Sequence, residues 1–162
     1  MERKIQAILE ELHTLFKKNR FSLSVAESCT GGLISHYITS LPGASTFFKA
    51  GIVSYTERSK KDILHVSNET LSNFGVISEE TAKEMAEHVR SIAESDYSVA
   101  TTGNLGPDVL EEKDKGLIFL AVSKKGNTVT KQLNLIGSRE KNKEEAALSA
   151  LTLLMDFVDT NE

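Results

Sequence analysis

The chain has 162 residues, 40% of them hydrophobic and 26% charged, a length and balance that suit one compact domain over 1–162 and exclude extended disorder. Lys plus Arg total 19 against 23 for Asp plus Glu, a formal charge of -4, so no general basic field invites nucleic acid or an anionic membrane. The single cysteine, Cys29, has no internal disulfide partner, no apolar run approaches the roughly 20 residues of a membrane span, and the N-terminus is amphipathic, which together read as a cytoplasmic protein.

Ile5, Ile8, Leu9, Leu12, Leu15 and Phe16 recur at helical spacing and predict an amphipathic helix over 2–19. Phe21 to Ala26 reads as a strand, and Leu33, Ile34, Tyr37 and Ile38 as a helix that Leu41-Pro42-Gly43 ends. Phe47 to Tyr55 is the next predicted strand, followed by a short charged helix from Glu57 to Leu64. Ser67 or Asn68 can cap a further turn of helix. Ser78 caps a longer one whose inner face is Ala82, Met85, Ala86, Val89, Ile92 and Ala93. Tyr97 to Thr102 is an apolar strand. Leu117 to Ser123 and Thr128 to Ile136 form a hairpin about Lys124-Lys125-Gly126-Asn127. Ala147, Ala150, Leu151, Leu154, Phe157 and Val158 give a last helix its inner stripe, while 140–145 stay in water. Strands alternating with helices, plus one hairpin, predict a three-layer α/β/α domain: a mixed sheet with helices on both faces.

Ligands of such folds gather beyond the carboxyl ends of strands, so the turns after Ala26, Tyr55 and Thr102 are where chemistry is sought. Ser28 stands near a helix start, where free N–H groups and a positive dipole favour an oxyanion or a phosphate. The plainer reading is that Ser28 or Thr30 caps the helix and Gly31-Gly32 relieves crowding. Cys29 is a competing nucleophile, but none of His13, His36, His65 and His88 has the carboxylate neighbour that would mark it as a base. Tyr55 and Lys60 place a phenol and an amine five residues apart at a strand end and first helical turns, although most such lysines are solvated. A lysine serves as base only if desolvation lowers its pKa. Thr102-Gly103-Asn104 lets a ligand approach the backbone, and Arg139 can pair with a phosphate. No His, Cys and carboxylate grouping has metal-ligand spacing, so no metal is expected.

Ala26-Glu27-Ser28-Cys29-Thr30-Gly31-Gly32 is the most specific stretch of the chain. It is followed by Leu41-Pro42-Gly43-Ala44-Ser45, Gly51-Ile52-Val53-Ser54-Tyr55, Gly75-Val76-Ile77-Ser78, and Thr102-Gly103 with Gly106-Pro107. In order and interval this set resembles the nicotinamide-nucleotide amidohydrolases, the domain that also forms the C-terminal part of CinA proteins, over about residues 5 to 158. The resemblance implies deamidation of nicotinamide mononucleotide to nicotinic acid mononucleotide and ammonia, without a cofactor. It assigns the nucleophile to Ser28, the base to Lys60 and a proton-relaying phenol to Tyr55. Thr30, Gly31, Gly32, Thr102, Gly103, Asn104 and Arg139 become candidates for oxyanion, ribose or phosphate contacts. A homodimer is expected, with the nucleotide as small-molecule partner and neither nucleic acid nor a membrane.

The family usually continues its Thr-Gly turn with Ile-Ala-Gly-Pro and further glycines, whereas this chain carries Asn104-Leu105-Gly106-Pro107-Asp108 and then a segment rich in both charges to Gly116. Its alternating signs predict an exposed, mobile loop. Asp108, Glu111 and Glu112 there would narrow a nucleotide pocket or repel a phosphate. A binding homologue without turnover, and a hydrolase using Cys29, are therefore the two alternatives to the serine amidase.

Overall fold

The computed structural model describes residues 2–160. Helix α1, Glu2–Asn19, leads into β1, Leu23–Glu27, and then α2, Leu33–Ser40. After a short turn of helix come β2, Phe48–Val53, and three helices: α3, Glu57–Asp62; α4, Asn68–Phe74; and α5, Glu79–Ala93. Strands β3, Tyr97–Gly103, β4, Leu117–Lys124, and β5, Asn127–Asn134, precede the closing helix α6, Arg139–Asp159.

The five strands form one sheet in the order β2-β1-β3-β4-β5. β1 runs parallel to both β2 and β3, while β3–β4 and β4–β5 are antiparallel, the mixed sheet that the sequence pattern predicts. Successive strand residues face opposite ways, so the sheet feeds two apolar layers. On one face Leu23, Val25, Val99, Leu120 and Val122 join Leu9, Phe16, Ile34, Leu151 and Leu154 from α1, α2 and α6. On the other, Ala26, Ala100 and Ala121 pack with Met85, Ala86 and Val89 of α5. The three alanines are register partners across β1, β3 and β4. A row of methyl groups leaves room for α5 to lie close on the sheet, with its own Ala82 and Ala86 turned inward.

Element ends differ from the sequence reading in ways that have physical causes. Phe21 stays outside β1 because its amide donates back to Phe16 O and its ring meets Phe16 and Tyr97 edge-on. Two strands stop short: β2 ends at Val53, before Tyr55, and β5 ends at Asn134, leaving Ile136 wholly exposed. The hairpin is tighter than expected, Lys124 pairing with Asn127 about a turn in which Gly126 takes φ 80°. Ile92 continues the α5 stripe yet is 46% exposed, since periodicity marks a face but not where the neighbouring surface stops. Within 140–145, expected in water, Asn142 is buried: it accepts from Gly137 N and donates to Leu105 O, tying the start of α6 to the turn after β3. No helix among the described residues is long and apolar enough to cross a membrane.

Because β1, β2 and β3 are parallel, their carboxyl ends lie along one edge of the sheet. The segments that follow them, from Ser28, Ser54 and Asn104, meet there.

Candidate active site

Ser28 is held from both sides at that edge. Its amide donates to Thr101 O of β3, and Ser54 N donates to Glu27 O, extending the ladder one step beyond β1 on each flank. The helix that follows is fixed by a carboxylate from within the chain. Glu27, fully buried, accepts from Gly32 N (3.0 Å), Ile34 N (3.1 Å), Ser35 N (2.8 Å) and Ser35 Oγ (2.8 Å). The anion that the N-terminus of α2 attracts is therefore already in place. Gly31 and Gly32 take φ 58° and 98°, the left-handed turn that brings the chain round to present those amides.

Lys60 arrives from α3. Thr56 and Ser59 form a reciprocal capping box that sets the helix start, Thr56 Oγ1 accepting from Ser59 N and Ser59 Oγ from Thr56 N, both at 3.1 Å. The fourth helical residue then points its stem into the fold, and Lys60 is only 2% exposed. Its ammonium donates to Ser28 Oγ at 2.7 Å and to Ser54 O at 2.8 Å. Among the described residues no carboxylate pairs with it, and burial pulls the amine down from the ordinary 10.5 to about 8, against the opposing fields of Glu111 and Glu57. That displacement corresponds to about 3 kcal/mol, and it leaves roughly a tenth of the amine unprotonated at neutral pH. A hydroxyl and a partly neutral amine within hydrogen-bond distance are what a serine nucleophile with a lysine base requires.

Cys29 stands next in sequence but in another chemical state. Burial pushes its thiol up to about 12, in spite of the Thr101 hydroxyl and the Lys60 charge that act the other way. A thiol so placed is not a thiolate at neutral pH. His13 and His88 spend a ring nitrogen on the Ile38 and Leu64 carbonyls. Among the described residues no cluster of His, Cys, Asp and Glu is arranged to hold a metal ion.

Ser28, Tyr55, Gly103 and Leu110 line two adjoining compartments of one cleft, about 240 and 380 Å³ in volume. The smaller adds Cys29, Asn104, Asp108 and Arg139, and the larger adds Lys60, Thr102, Ile77 and Glu111. Gly103 lines both compartments, and it must be glycine because β4 packs against it: a Cβ there would press on the Ile118 backbone at 2.7 Å.

The structure separates the predicted binding residues into two groups. Thr30, Gly31 and Gly32 line neither compartment: the Thr30 hydroxyl bonds that of Thr101 (2.8 Å), Gly31 N donates to Ser28 O, and Gly32 N serves Glu27. Thr102 and Asn104 reach the cleft, but the Thr102 hydroxyl donates to Val76 O, and the Asn104 amide group holds Leu110 and Lys113. Gly103 and Arg139 remain as contacts open to a ligand. Arg139 donates to Gly106 O and to the Tyr55 hydroxyl, each at 2.7 Å. Tyr55 is 57% exposed and is bonded to Arg139, not to Ser28 or Lys60, so the relay role assigned to it is not assembled in this arrangement.

The strap from Asn104 to Gly116 is exposed in large part, as expected, but it is latched rather than loose. Glu111 accepts from Val76 N (3.0 Å) and Ile77 N (2.9 Å), and Lys113 donates to Phe74 O (2.8 Å) and Ile77 O (2.5 Å). A Cβ at Gly75 would overlap the Glu111 carboxylate, so the glycine makes the latch sterically feasible. Glu27, Glu111 and Lys113 hold the site in shape through contacts that the sequence does not signal. Glu27 lies within the stretch 26–32, which does not reveal that its carboxylate binds the following amides, and the other two find partners more than thirty residues away.

A family model described as the CinA C-terminal domain matches residues 5–158. A competence-damage inducible protein of Thermoanaerobacter pseudethanolicus is 41% identical over 145 residues, covering 89% of this chain and 35% of that protein. One from Acetivibrio thermocellus is 42% identical over 141 residues, covering 86% and 34%. The chain thus spans about a third of the length of the curated relatives it matches. Among solved structures, the competence/damage inducible protein CihA of Agrobacterium tumefaciens superimposes with a TM-score of 0.91 at 33% identity, 94% of each chain being covered. A CinA superfamily protein of Escherichia coli gives 0.91 at 30% identity, over 94% of this chain and 90% of the other.

Proposed function

The chain belongs to the CinA C-terminal domain family, and from that premise we propose that it is an amidohydrolase that converts nicotinamide mononucleotide to nicotinic acid mononucleotide and ammonia. The observation that carries this reading is the 2.7 Å contact between Ser28 Oγ and a buried Lys60 whose pKa is lowered towards neutrality.

In this mechanism the unprotonated Lys60 takes the Ser28 proton as Oγ adds to the carboxamide carbon. The C=O electron pair moves to oxygen, giving a tetrahedral intermediate whose oxyanion backbone donors near Gly103 and Ser28 stabilise. Lys60, now an ammonium, returns the proton to the departing nitrogen, the C–N bond breaks, and ammonia leaves an ester on Ser28. Water then adds to that ester with Lys60 again as base, releasing the acid and restoring the hydroxyl. Ser54 O keeps the amine aimed at Oγ throughout, because a neutral lysine retains two N–H bonds to donate. Tyr55 and Arg139, joined at the cleft mouth, receive the ribose phosphate, the guanidinium supplying a charge matched to a phosphate.

A second reading, a nucleotide-binding homologue without turnover, is favoured by one feature: Leu110 and Glu111 of the strap form part of the cleft wall. Ammonia release from nicotinamide mononucleotide, measured on the native protein, Ser28→Ala and Cys29→Ala, decides among the readings. The serine mechanism predicts activity lost in Ser28→Ala and kept within about threefold in Cys29→Ala. Binding without ammonia in the native protein establishes the second reading, and activity lost only in Cys29→Ala establishes a thiol route.

A further inference from the structure

The two compartments on either side of Ser28 differ in charge. The smaller holds one of each sign, Arg139 and Asp108. Among the described residues the larger holds two carboxylates, Glu57 and Glu111, and one cation, Lys60, the amine that must be neutral to act. Glu57 is exposed on the first turn of α3 and is screened by solvent. Glu111 is not free to swing: two backbone amides fix its carboxylate against Gly75, and its side chain is only 29% exposed. Lys113 approaches Glu111 Oε1 at 3.5 Å but lines neither compartment, so it weakens the field in the cleft from behind the carboxylate without replacing it.

We propose that Glu111 is a specificity-determining residue of the cleft: its fixed carboxylate, on the wall shared with Lys60, favours amides borne on a cationic ring over those on a neutral ring. The inference rests on the amide-hydrolysis reading and deepens it. With the ring of a carboxamide bound at Ser28 seated in the larger compartment, which Ser28 also lines, a positive charge on that ring is stabilised. Glu111 also bears on the base. The groups facing Lys60 are Cys29, which is un-ionised where Lys60 titrates, Glu57, Glu111 and the Tyr55 phenol. Removing one carboxylate from that set destabilises the ammonium and makes Lys60 neutral at lower pH.

The test compares ammonia release from nicotinamide mononucleotide, from its riboside, and from the reduced riboside with an uncharged ring, in the native protein, Glu111→Gln and Lys113→Met. Each variant is first shown to melt cooperatively. In Glu111→Gln the cationic-to-neutral ratio of kcat/KM falls about fivefold, a partly screened single-charge effect, while the mononucleotide-to-riboside ratio stays within about twofold. The acid limb of the pH profile moves to lower pH, a change that loss of a purely structural contact does not produce. Lys113→Met moves the ring-charge ratio in the opposite direction. An unchanged ring-charge ratio in Glu111→Gln overturns the proposal, as does an effect confined to the mononucleotide-to-riboside ratio. If the native protein releases no ammonia from any of the three, the amidase reading fails. Dissociation constants for the two ribosides on the native protein and Glu111→Gln then decide the inference by the same fivefold criterion.

Discussion

Two glutamates in this molecule do similar work in unlike settings. Glu27, at the end of β1, is wholly buried and binds three amides and a hydroxyl of the helix immediately after it. Glu111, in the strap after β3, lies at the surface and binds two amides of a turn far away in sequence. The first closes a local circuit that fixes the start of α2 to the end of β1, while the second closes a long-range circuit that fixes one wall of the cleft. The turn that carries Ser28 is thus built from consecutive residues with no slack, whereas the cleft wall is pinned by side chains that can be exchanged without disturbing the sheet.

Replacing the two carboxylates in parallel tests the contrast most strongly. Glu27→Gln puts an NH₂ group where only donors converge and removes the charge that meets the α2 dipole, so it lowers unfolding stability by about 3 kcal/mol and takes activity with it. Glu111→Gln costs about 1 kcal/mol or less in the same denaturant titration, because water can serve the freed amides. Equal losses would abolish the distinction between turn and wall.

Lys60 sharpens the comparison from within the rigid half. Its folded-state value near 8 lies below the ordinary 10.5, so the unfolded chain holds the additional proton between those values and stability rises with pH across that window. Lys60→Met removes the penalty. The variant is inactive, and at pH 7 it is about 2 kcal/mol more stable than the native protein, an advantage that shrinks between pH 8 and 10.5. Thermal melts at several pH values check it, and a variant less stable than the native protein at pH 7 would show that the buried amine carries no desolvation cost.

The smallest effect belongs to the neighbour of Ser28. Cys29→Ala removes a sulfur buried among apolar side chains, costing about 1 kcal/mol of stability with kcat/KM within about threefold. A larger loss of activity would give the thiol a part in the chemistry.

How far these features were legible in the sequence follows from the distance over which each is specified. The stripe of α1, the five strands and the α5 core face follow from period and burial, because each repeats within a few residues. The pairing of Ser28 with Lys60 did not follow from spacing: thirty-two residues and a change of strand separate them, and the expectation came from resemblance to a family. The helix N-terminus after Ser28 was legible as an anion site, but not that Glu27 fills it, since an acidic residue at a strand end reads as an edge position until the chain is folded. The latch of Glu111 and Lys113 on 74–77 was illegible for a further reason. Alternating charges predict solvation, and only the tertiary fold brings unpaired backbone groups within their reach.

The most direct test of the account is the titration of Lys60 itself, followed by NMR of carbon-labelled lysine side chains, with Lys60→Met identifying the resonance. The account predicts a transition near pH 8. A transition at the ordinary lysine value near 10.5 would leave Ser28 without a base and contradict it.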